Sequence, residues 1–268
     1  MNVAIRLQSL GIEAAIISKI GNDKAGTGII DLLKSRKVDT SLVQTDLTYS
    51  TGEVKVQLDK NGIATYEIVQ PSAWDLIEAN TDAEKAVKRS DALVFGSLAC
   101  RNEVSRNALQ KLIGMSKFRV FDVNLRKPFV NYKLIEKLMH QADLLKLNDE
   151  ELPLIVRSLD SEETGLEEMM LFLSEETETS KICVTRGKDG AVYLENGEFY
   201  YHKGFTVKVE DTVGSGDSFL AAFLYKLLSG ATASAALEYG CALGAMVASH
   251  KGANPEISKE QIERFIGE

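Results

Sequence analysis

Histidine and cysteine are scarce in this chain, with three of each in 268 residues. Cys100, Cys183 and Cys241 are odd in number and far apart, so reduced thiols in a cytoplasmic protein are expected in place of a disulfide framework. His140, His202 and His250 are accompanied by no Cys-x-x-Cys pair, which argues against a structural zinc site. Positive charge is also short. Lys+Arg number 31 against 39 Asp+Glu, a net charge of −8, so neither nucleic acid nor an anionic membrane surface is the expected partner. No apolar run approaches the roughly 18 residues of a membrane span, and residues 1–20 lack the charged start and unbroken apolar centre of a signal peptide. The composition that is left, 44% hydrophobic and 26% charged, is that of an ordinary soluble globular protein, and 268 residues, as one large domain or two small ones, can bury a sizeable core.

The common phosphate-binding motifs are missing as well. There is no G-x-x-x-x-G-K-[ST] loop, Gly214-x-Gly216 is followed by Phe219 where a dinucleotide fingerprint needs a third glycine, and no H-R-D or D-F-G set occurs. What is present is Asp211-Thr212-Val213-Gly214-Ser215-Gly216-Asp217-Ser218, running straight into the apolar segment Phe219 to Leu228. The first turn of a helix leaves N–H groups without intrahelical partners and carries partial positive charge, and glycines let a phosphate approach that backbone. An acid in the same turn competes with a bound anion. Asp217 is therefore either a helix-dipole partner or a base that takes a proton from a group attacking a phosphate.

Around this stretch the chain alternates strand and helix. Asn2 to Leu10 reads as a helix closed by Gly11, Ala14 to Ile20 as a buried strand, and Gly26 to Ser35 as a helix. Val54, Val56 and Leu58 alternate with polar residues before Asn61-Gly62, the strongest short hairpin signal, and the polar face predicts a small lid or edge rather than a central strand. Strands are expected at 92–95, 119–123, 144–147 and 182–185, helices at 103–113, 132–140 and 167–173, and a second hairpin at 191–202 around Asn196-Gly197. Two apolar helices, 215–228 and 233–249, and a short amphipathic tail close the chain. This order predicts an α/β fold, a central mostly parallel sheet with helices on both faces plus a small β lid. Ligands bind beyond the carboxyl ends of such strands, where four polar clusters fall: Asp122/Asn124/Arg126, Asn148/Glu151, Thr185/Gly187 and Gly214–Asp217.

The motif at 211–217 closely resembles the second signature of the ribokinase-like (PfkB) carbohydrate kinases. Asn148-x-x-Glu151, Asp122-x-Asn124-x-Arg126, Thr185-Arg186-Gly187-Lys188-Asp189-Gly190-Ala191, Lys19-Ile20-Gly21-Asn22-Asp23 with Gly26, and Val38-Asp39-Thr40 match further family segments in the family's order. Tyr66-Glu67-Ile68-Val69, Ala73-Trp74-Asp75 and Phe95-Gly96-Ser97-Leu98-Ala99 look most like bacterial fructokinases within it. Family members begin with a strand ahead of the position of Asn2 that carries a sugar-binding Asp and a Gly-Gly pair. Met1 is thus expected to be an internal methionine, with one wall of the sugar site missing.

The resemblance implies one ribokinase-like domain over residues 1–268, with a lid formed mainly from about 48–70, and a cytoplasmic ATP-dependent sugar kinase, most of all a fructokinase. The alternatives are a kinase of another small alcohol (2-keto-3-deoxygluconate, a nucleoside or a sugar phosphate) and a non-catalytic ligand-binding homologue. Asp217 would be the base, with Gly214, Ser215 and Gly216 offering N–H groups to the transferring phosphoryl. Asn148 and Glu151 would hold Mg²⁺ through water, although Asn-x-x-Glu is also a capping box. Thr185, Gly187, Asn148, Arg126, Gly252, Ala253 and Asn254 would border ATP. Asp211 and Val213 would hold a monovalent cation such as K⁺. Asn2, Thr51 and Gly52 would meet the sugar, with Trp74 a weaker candidate, and two lids would pair into a homodimer.

Overall fold

The computed structural model describes residues 1–58 and 64–267 and falls into two compact units. One comprises Met1–Ala14, Ser90–Leu98 and Ser116–Glu268; the other comprises Ala15–Arg89 and Ala99–Met115.

The chain enters the first unit through helix α1 (Asn2–Ser9), closed by Gly11 at a φ of 79°, the left-handed position expected after a helix end. It then builds the second unit. Strand β1 (Ser18–Gly21) is shorter than the 14–20 run expected from sequence. Among the described residues, Ala15 alone upstream of it finds a strand partner, in an isolated bridge to Asp39. No residue from Ala14 to Ile20 is buried, because β1 belongs to a two-stranded sheet. Helix α2 (Lys24–Ser35) follows, and β2 (Val43–Asp46), an unexpected strand, pairs parallel to β1. Strands β3 (Val54–Leu58) and β4 (Ala64–Ile68) form an antiparallel pair in a sheet of their own, as their polar face predicted. The Asn61-Gly62 turn lies outside the described residues. Helix α3 (Thr81–Arg89) was not anticipated, since it is highly charged and buries only Ala83 and Val87.

Strand β5 (Leu93–Gly96) opens the main sheet of the first unit, and helix α4 (Glu103–Ile113) belongs to the second. The sheet grows through β6 (Arg119–Asp122), helix α5 (Tyr132–Met139), β7 (Leu144–Asn148), helices α6 (Glu151–Ser158) and α7 (Leu166–Thr177), and β8 (Lys181–Thr185). It finishes in the hairpin β9 (Ala191–Glu195) and β10 (Glu198–His202). The order is β10-β9-β8-β7-β6-β5, with β5 to β8 parallel. The carboxyl ends of β6, β7 and β8 therefore bring Asp122, Asn148 and Thr185 to one edge of the sheet.

Helices α8 (Ser215–Leu228), α9 (Ala233–Ala248) and α10 (Lys259–Gly267) complete this unit. The first two are apolar on nearly all sides because they are core helices. Phe219, Leu220, Phe223 and Leu224 pack with Leu237 and Cys241 against Val120, Leu144 and Tyr193 of the sheet. Gly240 lets α9 approach the Phe219 ring closely. The start of α8 is thus anchored in the core before any ligand arrives. No helix among the described residues is long and apolar enough to cross a membrane.

Candidate active site

The strand ends carry a buried ion pair. Asp122 and Lys146 are register partners across β6 and β7, and Lys146 Nζ donates to Asp122 Oδ1 at 3.1 Å. Burial pushes the Asp122 carboxyl above its usual range, against the pull of Lys146. Burial also works against the Lys146 ammonium. Asp122, Glu151 and Asp217 outweigh it, and the lysine holds its proton more tightly than usual. One ammonium therefore answers three carboxylates.

At the head of α6, Asn148 and Glu151 exchange hydrogen bonds. Asn148 Oδ1 accepts from the N–H of Glu151 at 2.8 Å, and Glu151 Oε2 accepts from the N–H of Asn148 at 3.0 Å. This is the reciprocal pattern of a capping box. Glu151 Oε1 accepts from Leu125 N at 2.7 Å, so both its oxygens already hold backbone donors. Thr185 sits beside Asn148 in register, and its Oγ1 donates to Leu147 O at 3.3 Å. Gly187, at a φ of 53°, and Arg126 are exposed; Arg126 donates to its neighbour Leu125 O at 3.2 Å.

The head of α8 is built differently. Its N-cap is Gly214, at a φ of 79° and without a side-chain cap. A Cβ there would meet Ala253 Cα, Cβ and O at 2.7 Å, so the 252–255 loop packs directly on this glycine. Ser215 turns inward: its N–H donates to Thr212 O at 3.2 Å and its hydroxyl to Gly244 O at 2.9 Å. Among the described residues the N–H groups of Gly216 and Asp217 take no acceptor, as first-turn donors do. The half-buried Asp217 accepts a hydrogen bond from Asn2 Nδ2 at 2.8 Å, and Asn2 Oδ1 accepts from Asn254 Nδ2 at 2.8 Å. Asp211 ties the turn to the same loop, accepting from Val213 N at 2.9 Å and Gly252 N at 3.0 Å, and these donors hold its carboxyl below the usual range.

Two further residues join this set. Arg6, buried on α1, donates to Ser218 Oγ at 3.1 Å, Pro255 O at 2.7 Å and Ala253 O at 3.2 Å. It thereby binds α1, the residue after Asp217 and the 253–255 loop together. The other is Lys146. The sequence signal for both is a long cation on an apolar element, Lys146 inside Leu144–Leu147 and Arg6 next to Ile5. Asn2, Asp217, Asn254, Ala253, Gly252, Gly214, Asp211 and Val213 thus form one connected group. Asn148, Glu151 and Thr185 form a second, and Lys146 lies beside both. Thr51 and Gly52 belong to the other unit. There the indole of Trp74 packs on Gly52 and under the Arg101 guanidinium, 3.9 Å from the ring centre, while Arg101 holds Asp75 at 2.6 Å. Trp74 is a packing residue in that unit.

The pfkB family carbohydrate kinase model matches residues 1–260. A 5-dehydro-2-deoxygluconokinase of Clostridium botulinum (strain Alaska E43 / Type E3) is 28% identical over 297 aligned residues, covering 100% of this chain and 82% of that protein. Among solved structures, an uncharacterized sugar kinase of Pyrococcus horikoshii superposes with a TM-score of 0.81 at 26% identity, covering 94% of this chain and 82% of that one. Fructokinase of Vibrio cholerae O395, in its fructose, ADP and calcium ion bound form, gives 0.85 at 24% identity, covering 99% and 89%. This chain belongs to the pfkB family of carbohydrate kinases, with the ribokinase-like α/β fold. Its activity is ATP-dependent phosphorylation of a carbohydrate.

Proposed function

We propose that the enzyme phosphorylates a hydroxyl of a six-carbon keto sugar, fructose first, with Asp217 as the base. Fructose is named first because a probable fructokinase-5 of Arabidopsis thaliana is among the relatives, and the observation that carries the base is the head of α8, where an acid stands in the first turn without capping it. Asp217 is turned to Asn2 and flanked by two N–H groups with no acceptor among the described residues. In the proposed step Asp217 removes the hydroxyl proton as that oxygen bonds to the γ-phosphorus of ATP. The bond from that phosphorus to the β–γ bridging oxygen breaks, ADP leaves, and Asp217 returns its proton to solvent. The N–H groups of Gly216 and Asp217 face the charge spread over the transferring phosphoryl oxygens. Ser215 contributes by fixing the turn, since its own N–H is already bonded to Thr212.

ATP would lie along Asn148, Thr185, Gly187, Arg126 and the loop of Gly252, Ala253 and Asn254; the buried Asn254 Oδ1, without a partner among the described residues, supplies an acceptor there. Mg²⁺ would offset phosphate charge. Both Glu151 oxygens accept backbone N–H groups, which suits Asn148 and Glu151 to holding the metal's water rather than the ion directly. No cluster of three His, Cys, Asp or Glu among the described residues offers a direct cage. Asp211 and the Val213 carbonyl would border K⁺. Asn2, which donates to Asp217, would meet the sugar. Three free, buried thiols are in keeping with a cytoplasmic setting. The β3–β4 sheet, whose Val54 is 56% exposed, is the surface through which two copies would pair.

A second reading, 5-dehydro-2-deoxygluconate as acceptor, is favoured by the kinases of that name that align over the whole chain. A coupled ADP-release assay over fructose, 5-dehydro-2-deoxygluconate, 2-keto-3-deoxygluconate, nucleosides and sugar phosphates tests both. Highest kcat/KM on fructose supports the first; highest on the keto acid replaces it. ATP binding with no turnover on any of them would leave a ligand-binding homologue.

A further inference from the structure

We propose that Lys146 is a positioning residue for phosphoryl transfer, its buried side chain held by Asp122 beneath the Gly216 end of the α8 turn so that its amino group lies against the backbone there. The inference rests on the reading of that turn given above. Lys146 Nζ lies 3.5 Å from the point a Cβ on Gly216 would occupy and 3.1 Å from Asp122 Oδ1. It therefore reaches from β7 to the backbone whose N–H groups face the phosphoryl. Asp217, Glu151 and Asp122 all act on it electrostatically. Without it, a polyanionic nucleotide would approach these carboxylates with one cation fewer beside the helix end, leaving the balance to Arg126, Mg²⁺ and the partial charges of the turn. Stability alone does not account for the pair. Its strand neighbours Leu144, Leu145 and Leu147 are fully buried, and an apolar pair in place of a buried ion pair is often no less stable.

The double variant Asp122→Asn/Lys146→Met removes both charges and separates the two explanations. If the pair only holds the fold, removing both members restores turnover lost in Lys146→Met. If the ammonium serves the reaction, the double variant stays at least ~100-fold down in kcat, with the sugar KM changed less than ~3-fold. Asp122→Asn alone, which keeps the ammonium but weakens its hold, falls between the parent and Lys146→Met. Turnover of the double variant within ~10-fold of the parent overturns the proposal. Should the double variant not fold, Lys146→Ala with added propylammonium decides. Saturable recovery of kcat by at least ~10-fold, absent with tetramethylammonium, supports the role, and no recovery overturns it. Asp217→Asn is assayed alongside, because retained turnover there overturns the base assignment itself.

Discussion

Asp23 and Asp217 both stand at the start of a helix beside glycines, and the chain puts them to opposite uses. Asp23 is the N-cap of α2. Its oxygens accept from Gly26 N at 2.8 Å, Thr51 N at 2.8 Å and Thr51 Oγ1 at 2.7 Å, and the Thr51 N–H, more than any other donor, holds its carboxyl below the usual range. Every part of that acid is spent on structure. Asp217 sits three residues past its cap, leaves the first-turn N–H groups alone, and takes its hydrogen bond from a side chain. A carboxylate whose oxygens are filled by backbone donors has little room for a further proton donor, whereas one turned away from them keeps an oxygen accessible to a hydroxyl. Glu151 falls with Asp23: two backbone donors occupy it, although it stands next to the site.

The contrast breaks most visibly at Asp217. Asp217→Asn is expected to lower kcat by about 10²–10⁴-fold with ATP affinity and unfolding temperature unchanged, measured by steady-state kinetics, calorimetry and thermal melting. Gly214→Ala comes next. Left-handed φ and the clash with Ala253 are expected to cost about 1–3 kcal/mol by urea unfolding and to lower kcat/KM for ATP about tenfold, since the turn and the 252–255 loop move together. Asp23→Ala should do the reverse of Asp217→Asn, lowering the unfolding temperature by about 2–4 °C and touching kcat far less. The smallest effect is in pH. Because the folded-state pKa of Asp23 lies below its unfolded value of about 3.9, its stabilisation is full above that value and is lost as pH falls through the folded one. The gap in unfolding temperature between the parent and Asp23→Asn should therefore narrow as pH falls below about 4. A constant gap would mean that Asp23 acts through geometry and not through its charge.

Most of the fold was legible because its signals are local. The ends of α4 and α8 agree with the expected runs 103–113 and 215–228, and β7 to β10 agree within a residue or so, since periodicity, Asn-Gly turns and apolar runs are set over short spans. Helix α6 was expected only as a cap at Asn148-x-x-Glu151, and the other misses share a cause. Residues 14–17 have strand character but, Ala15 apart, no strand to pair with, and β2 and α3 are short and polar, made regular by neighbours rather than by propensity.

In the site, residue types at motif spacing named Asp217, Asn148, Glu151 and the glycines, and spacing alone left Asp217 between cap and base. Three facts came only with the folded chain: the N–H groups of the α8 turn are not taken by Asp217, Glu151 is filled by Leu125 and Asn148, and Lys146 and Arg6 converge on the turn from β7 and α1. Periodicity and motif spacing report what lies within a few residues. Hydrogen bonds between residues 2 and 217 or 6 and 255, and a cation's position relative to a distant backbone, exist only once the core helices have brought those segments together.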